Sequence, residues 1–158
     1  MLQILKESRL FNKCTAQELH EIVTICHTIS IKSGEIIFNA KSPAEYLYIV
    51  NAGAVEIHFT VKYYNASQKI TLEQKNRGDI FGWSALTNPH IYTLSAIAVQ
   101  NSELIRLDSK DIKELCKAND HLGYVVMNSI AEIIGERFQI VQKMMIEEVQ
   151  QNLKQKER

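Results

Sequence analysis

The sequence lacks the features of a disulfide-stabilised, membrane-spanning or exported protein. Its three cysteines, Cys14, Cys26 and Cys116, are widely spaced and form no CxxC pair, which favours reduced thiols over a disulfide framework. Charged residues interrupt the apolar positions of the first eleven residues, MLQILKESRLF, so this segment is neither a signal peptide nor a membrane span. We therefore expect a cytoplasmic protein that does not insert into membranes.

An excess of charge of either sign is also missing. The chain has 18 basic residues (Lys and Arg) and 18 acidic residues (Asp and Glu), whereas proteins that bind nucleic acid usually carry a basic surface. We therefore expect no direct DNA binding. A chain of 158 residues with 46% hydrophobic and 23% charged residues is typical of one folded domain, and we predict a single domain over residues 1–158.

Helical and β patterns follow one another along this domain. Thr15-Ala16-Gln17-Glu18 is a capping box that starts a helix within the N-terminal segment 1–28. Short β-branched runs follow, the clearest being VEIHFTVKY at 55–63, where apolar and polar residues alternate as in a half-buried strand. KITLEQ then returns as its hairpin partner. Short strands with frequent turns predict a mainly β fold, an antiparallel jelly-roll barrel over residues 29–108 with flanking helices.

Two C-terminal helices are predicted over residues 109–153. Asp108 or Ser109 caps the first, and the second runs without proline from Leu122 to about Leu153. A helix of about 30 residues spans ~45 Å, which is longer than a barrel of this size is wide. Part of the helix must therefore project from the barrel or pack against a partner.

We predict that this long helix forms a homodimer, because its apolar band is wider than packing on one barrel requires. The predicted dimer residues are Val126, Ile130, Ile134, Phe138, Val141 and Met145. The alternative is a helix folded back on its own barrel, since Arg137, Glu147 and Glu148 interrupt a strict heptad.

The stretch RGDIFGWSALTNPHIYTLSAIAV, residues 77–99, has the pattern of a cradle for an anionic ligand, with a turn, a helix-like run and a strand of small residues. Further family features lie at Leu10-Phe11, Gly34-Glu35, YLYIVNAGAVEI (46–57) and SAIAV (95–99). Together these pieces make the chain similar to the cyclic nucleotide-binding domain of the catabolite-activator and oxygen-regulator (Crp/Fnr) superfamily. The resemblance implies an eight-stranded jelly roll, a ligand pocket under the long helix, and a role as a sensor.

The resemblance assigns ligand contacts to residues 78–93. Gly82 would let the backbone approach the ligand, and the helix after it would direct N–H groups at a phosphate. The family's glutamate for the ribose hydroxyl aligns with Trp83 and its phosphate-binding arginine with Tyr92, whereas the hydroxyl that follows is kept as Thr93. The candidate cradle residues are Gly78, Asp79, Phe81, Gly82, Trp83, Ser84, Ala85, Tyr92 and Thr93.

Loss of the arginine decides which ligands we expect. An Arg–phosphate pair is charge-assisted and often bidentate, whereas Tyr offers one neutral hydrogen bond. The loss costs ~2–5 kcal/mol for a buried phosphate, so we predict that cyclic AMP and cyclic GMP are not bound tightly. Either Trp83, Tyr92 and His90 line a pocket for another small molecule, or the rings fill the pocket and leave a ligand-free dimerisation or docking module. A Trp83 ring that points inward and packs on Tyr92 would favour the filled pocket.

Patterns for catalysis, metals and cofactors are weak. The histidines stand singly, without the HxH or HxxxE pairs of metal-dependent jelly-roll enzymes, at positions 20, 27, 58, 90 and 121. No Ser–His–Asp or P-loop signature occurs, so we expect no catalytic residue, no metal and no enzymatic activity. Three dispersed thiols cannot supply a four-cysteine iron–sulfur cluster, and we expect no haem, although one axial histidine could hold it.

The output of the domain is predicted from the end of the sequence. Regulators of the family continue past the long helix into a helix-turn-helix domain that binds DNA, whereas this sequence stops at Arg158. We therefore expect a non-catalytic sensor or regulatory domain without its own DNA-binding domain. If the sequence is complete, its output passes to a downstream protein partner or another element; if it is a piece of a longer chain, the remaining part decides the output.

Overall fold

Eight strands form the centre of the protein. They are β1 (Cys26–Ile31), β2 (Ile36–Phe38), β3 (Tyr46–Ala52), β4 (Val55–Tyr63), β5 (Ala66–Lys75), β6 (Ile80–Phe81), β7 (Ser95–Ala98) and β8 (Ser102–Asp108). The computed structural model describes residues 1–156 and arranges them in two antiparallel sheets of order β1-β8-β3-β6 and β2-β7-β4-β5. The mainly β prediction is confirmed. No strand pairing joins the two sheets within these residues, so the jelly roll is a two-sheet structure rather than a closed barrel.

The strand β3 shows how the core is divided. Its alternate residues Tyr48 and Val50 face the other sheet, in a core cluster with Val55 and Ile57 of β4. Leu47 and Ile49 of the same strand pack in a second cluster, between the first sheet and the helices. Because both faces of β3 are covered, its sequence YLYIV is apolar throughout rather than alternating.

The hairpin of β4 and β5 extends beyond the opposite sheet. β4 has the bounds of the predicted VEIHFTVKY segment, whereas β5 extends beyond the predicted KITLEQ at both ends, so the turn is shorter and lies at residues 64–65. However, β4 pairs with β7 only between Val55 and His58, and Val61 and Tyr63 are 41% and 70% exposed. The prediction of a half-buried strand therefore holds for its first half, because no second layer covers the rest.

Two helices precede the sheets, α1 (Leu2–Glu7) and α2 (Ala16–Val23). The predicted capping box of α2 is present: the Glu18 amide donates to the Thr15 hydroxyl at 3.3 Å, and the Thr15 amide donates to the Glu18 carboxylate at 2.8 Å. Glu18 is buried and also accepts a hydrogen bond from Nδ1 of His121 at 2.7 Å. The cap of α2 therefore also ties the N-terminal helices to the C-terminal ones.

The three cysteines are free, as predicted. Burial raises the pKa of both Cys14 and Cys26 to about 12, so both thiols stay protonated at neutral pH. Each is half-buried and packs against the cluster between the first sheet and the helices. Their place in the fold is that of small apolar core residues.

The C-terminal helices are α3 (Ser109–Ala118), capped by the Asp108 side chain, and α4 (Asp120–Lys156). At 37 residues, α4 is ~55 Å long. Val126 and Ile130, both predicted to face a second chain, are 1% exposed and lie in the protein's own core. This corrects the predicted dimer stripe, because the first half of α4 packs on the first sheet and the N-terminal helices. No helix within residues 1–156 combines the length and apolarity needed to cross a membrane.

Candidate functional site

The turn that precedes the cradle holds β3 and β6 together. The Gly78 amide donates to the Val50 carbonyl at 2.9 Å, and the Asp79 carboxylate accepts from the Asn76 amide at 2.9 Å. Gly78 has a φ of 86°, a left-handed conformation that favours glycine. The structure thus places Gly78 and Asp79 in a structural turn, and neither residue lines the cavities described below.

Gly82 brings the backbone of the cradle close to β3. Its φ is 76°, and a Cβ atom there would lie 2.9 Å from the Tyr46 carbonyl oxygen and 3.2 Å from the Tyr48 ring. The helix that follows is a single 3₁₀ turn, Trp83–Leu86. Four residues in 3₁₀ geometry sum to little dipole, so the anion-binding role implied for this helix has weak physical support.

An inner cavity lies beside Gly82. Its volume is about 20 Å³, which is room for roughly one water molecule. Its wall residues are Phe38, Ile57, Phe81, Gly82, Trp83, Ser84, Tyr92, Thr93, Leu94 and Arg137. Six of the nine predicted cradle residues therefore meet here, but around a space too small for a nucleotide.

Tyr92 is packed into the wall of the inner cavity. Its ring stacks on Phe38 with centroids 3.7 Å apart and an interplanar angle of 8°. Its hydroxyl donates to the Tyr46 carbonyl at 2.7 Å and accepts from the Tyr46 amide at 3.2 Å. The side chain is 4% exposed, and burial raises the pKa of its phenol. Tyr92 is thus part of the wall, and its polar group is already satisfied.

Trp83 contacts the long helix instead of packing inward on Tyr92. The Arg137 guanidinium lies over its ring, 5.3 Å from the centroid, within the range of a cation–π contact. Trp83 is half-buried and packs against the cluster of the first sheet and the helices. The predicted criterion for a filled pocket, an inward Trp83 packed by Tyr92, is not met, and the filling comes from Tyr92 and Phe38.

A larger outer groove lies between the β4–β5 hairpin and α4, with a volume of about 530 Å³. The outer groove is lined by Phe59, Leu72, Trp83, Thr93, Leu94, Arg137, Val141, Met144, Met145 and Glu148. It shares Trp83, Thr93, Leu94 and Arg137 with the inner cavity. The volume is within the ~300–1,000 Å³ of small-molecule pockets, so space for a ligand exists outside the cradle.

Arg137 joins the groove to the hairpin through a buried ion-pair cluster. Its guanidinium donates to the Glu73 carboxylate, and Lys75 reaches the same carboxylate at 3.1 Å. All three side chains are 13–14% exposed. Burial raises the pKa of Glu73, but the hydrogen bond and charge of Arg137, together with Lys75, outweigh it and leave the pKa below its usual value.

Sequence reasoning missed Arg137 as a site residue and treated it as an interruption of a heptad. The available signal was its position, since Arg137 falls seven residues after Ile130 and four after Ile133, on the buried stripe of the helix. Besides Gly78 and Asp79, two further predicted residues lie outside both cavities. Ala85 is buried in a small cluster with Tyr92, and His90, with Nε2 3.3 Å from the Lys113 Nζ, lines neither the inner cavity nor the outer groove.

Within residues 1–156 no group of three or more His, Cys, Asp or Glu residues is placed to hold a metal ion. For example, the Nδ1 atom of His58 is buried and has no hydrogen-bond partner among residues 1–156. Burial lowers the pKa of this imidazole. The histidines thus lie at separate places in the fold, as their spacing in the sequence indicates.

Solved structures resemble this chain over most of its length. A putative cyclic nucleotide-binding protein from Geobacter metallireducens is 29% identical, with a TM-score of 0.71, over 86% of this chain and 96% of that one. A cyclic nucleotide-binding domain from Methylobacillus flagellatus is 16% identical, with a TM-score of 0.77, over 92% and 81%. The Thermus thermophilus catabolite activator protein is 22% identical, with a TM-score of 0.72, over 87% and 62%. The latter two likenesses concern the fold alone.

The family comparison agrees with these structures. No curated protein matches the chain. The family model described as "cyclic nucleotide-binding domain" matches residues 28–119, which include β1 from Thr28 onward, the strands β2 to β8, the cradle and α3. Since this match covers more than half of the sequence, the protein belongs to the cyclic nucleotide-binding domain family, and the fold agrees with the predicted resemblance to the Crp/Fnr type.

Proposed function

We propose that this protein is a non-catalytic regulatory domain whose modified cradle does not bind cyclic AMP or cyclic GMP tightly and whose signal passes through a homodimer formed by α4. The observation that carries this proposal is the position of Tyr92. Its ring is stacked on Phe38 and its hydroxyl is bonded to the Tyr46 backbone. A side chain held in this way fills the cradle instead of anchoring a ligand.

The energetics of nucleotide entry support the first part of the proposal. A nucleotide would have to displace Tyr92 from a buried stack and break its two hydrogen bonds, each worth about 0.5–1.5 kcal/mol net. The family arginine that would offset this cost is absent. Arg137, the cation in the wall of the inner cavity, is already paired with Glu73. The volume of about 20 Å³ also leaves no room for a nucleotide to reach the Arg137 guanidinium from the inner cavity.

An exposed apolar stripe on α4 supports the second part. We define the outer seam as Phe138, Val141, Met145 and Val149, which are 45–61% exposed. Their spacings of three, four and four residues place them along one side of the helix. A second copy of α4 would cover this side of the helix through a two-fold axis, and Val141 and Met145 would then lie between that copy and the outer groove, which they also line. The corrected stripe therefore begins at Phe138, after the helix leaves its own core, because Ile134 still packs against that core.

The test is a titration of the purified protein with cyclic AMP and cyclic GMP, followed by intrinsic fluorescence and paired with analytical ultracentrifugation. Trp83 is the single tryptophan of the sequence and lines the inner cavity, so its emission reports on the cradle. We expect no saturable change at micromolar cyclic nucleotide, and a dimer at micromolar protein. Saturation in the micromolar range, or a monomer, would contradict the proposal.

A second candidate function is a ligand-free dimerisation or docking module. The small volume of the inner cavity favours it, because about 20 Å³ leaves no room for a ligand there. In such a module no small molecule changes the dimer, whereas a sensor shifts between arrangements according to the ligand's differential affinity for them. The sensor therefore requires a ligand in the outer groove, whereas the ligand-free module requires none.

A further inference from the structure

The outer groove combines an apolar wall with a charged inner end. The hairpin contributes Phe59 and Leu72, and α4 contributes Val141, Met144 and Met145. At the inner end lies Arg137, whose side chain is 14% exposed. Glu148, the other charged lining residue, is exposed and lies eleven residues further along α4, about 16 Å away along the helix axis.

The hydrogen-bonding capacity of Arg137 is not used up. Glu73 accepts from one terminal nitrogen of the guanidinium, while Nε is buried and has no hydrogen-bond partner within residues 1–156. A buried donor without a partner is costly. Arg137 and Lys75 together carry two positive charges against the single charge of Glu73, so the cluster of these three side chains has a net positive charge.

We propose that the outer groove binds a small molecule with an apolar body and one anionic group, and that the anionic group pairs with Arg137 in competition with Glu73. The apolar body lies along the hairpin and α4, and the anionic oxygen accepts hydrogen bonds from the guanidinium. This inference rests on the proposed function. If the cradle is filled by Tyr92, the outer groove is the space that remains for a ligand, and the inference assigns a ligand class to it.

The same observations exclude other ligand classes from the inner end. A cation there would meet two buried positive charges, and a neutral apolar molecule would leave the Nε donor unpaired. The competition with Glu73 also gives the ligand a means of action. Glu73 belongs to the hairpin and Arg137 to α4, so a ligand that separates them changes the contact between the sheet and the long helix.

The experiment uses decanoate as the probe, below its micellar range, with 1-decanol as the neutral molecule of matched chain length. Binding to the full-length protein is measured by calorimetry, which does not depend on Trp83, and by Trp83 fluorescence. We expect saturable binding of decanoate at least about tenfold tighter than that of decanol, because a buried charge-assisted pair is lost in the alcohol. Equal affinity for the two probes, or no saturable binding, would overturn the inference.

Three variants separate charge recognition from a structural role. Arg137→Met keeps the apolar contact with Trp83 and removes the charge, and we expect decanoate binding to weaken at least about 30-fold. Glu73→Gln removes the competing carboxylate, and we expect binding to tighten by about threefold to tenfold. Arg9→Met is the matched control, because it removes another Arg–Glu pair to α4, that with Glu136, and neither residue lines the outer groove.

Opposite effects of Arg137→Met and Glu73→Gln support competition, since loss of a merely structural ion pair would weaken binding in both variants. Unchanged or weaker binding in Glu73→Gln overturns it. The outcome is also distinguishable from failure of the proposed function. A dimer that ignores both cyclic nucleotides and decanoate refutes this inference alone, whereas micromolar cyclic AMP binding or a monomeric protein refutes the proposed function.

Discussion

The two halves of α4 have similar apolar patterns but different surroundings. From Leu122 to Ile133 the apolar residues that face the protein are at most 6% exposed and pack on the first sheet and the N-terminal helices. Beyond Arg137 the apolar residues are 40–61% exposed. The same helix thus completes a core in its first half and presents unfilled apolar surface in its second half, with the Arg137–Glu73 pair at the boundary.

Charged contacts follow the same division. The first half of α4 is tied to the N-terminal segment by three pairs: His121 with Glu18 at 2.7 Å, Glu132 with Lys13 at 3.0 Å, and Glu136 with Arg9. In the second half the ion pair found within residues 1–156 is Lys143 with Glu147, which lies within the helix. The difference indicates that the first half is an anchor, whereas the second half is free to contact a ligand or a second chain.

The largest expected effect is on the second half, in the variant Phe138→Glu. Phe138 occurs twice in a symmetric dimer, and burial of one such side chain contributes about 1.5–3 kcal/mol. We therefore expect the dimer dissociation constant to rise at least about 100-fold, measured by analytical ultracentrifugation. Ile146→Glu is the control, because Ile146 is also exposed on α4 but lies off the outer seam. Equal weakening by both variants would contradict the assignment of the seam.

A slightly smaller effect is expected on the first half, in Ile130→Ala. Ile130 is 1% exposed, and such a truncation in a core costs about 2–5 kcal/mol of unfolding free energy. Ile146→Ala makes the same truncation at a 53% exposed position and should cost less than about 0.5 kcal/mol. Urea unfolding at constant protein concentration measures both. Similar costs at the two positions would mean that the halves of α4 do not differ as described.

The difference between the halves was out of reach of sequence periodicity. The apolar spacing correctly predicts a long helix; the residues are Val126, Ile130, Ile134, Phe138, Val141 and Met145. However, an apolar stripe buried in the protein's own core and one buried against a partner have the same sequence pattern. Only the position at which the helix leaves the sheets separates them. The alternating strand 55–63 has the same property, since its pattern predicts β4 but not that β7 stops pairing at His58.

The candidate site was predictable to a similar extent. The family resemblance places Gly82 and Trp83 at the cradle, and both line the inner cavity, because they lie within one short stretch of sequence that matches the family pattern. The stacking of Tyr92 on Phe38 joins residues 54 positions apart, and the pairing of Arg137 with Glu73 joins residues 64 positions apart. Such contacts arise from the sheet order and the path of α4, which no spacing within the sequence specifies.

The smallest expected effect concerns pH and the anchor of the first half. Burial raises the pKa of Glu18, but hydrogen bonds from His121 and Thr15 lower it by more, so its pKa in the folded protein lies below the usual value. A carboxylate with a lowered pKa stabilises the fold above its unfolded pKa of about 4.3, and this contribution disappears as the pH falls through the folded pKa.

Urea midpoints between pH 7 and pH 3.5 should therefore decrease less in Glu18→Gln than in the wild type. Glu147→Gln, on the exposed second half, should keep the wild-type slope. Equal slopes in all three proteins would show that the Glu18–His121 contact does not anchor α4, and the contrast between its halves would then rest on apolar packing alone.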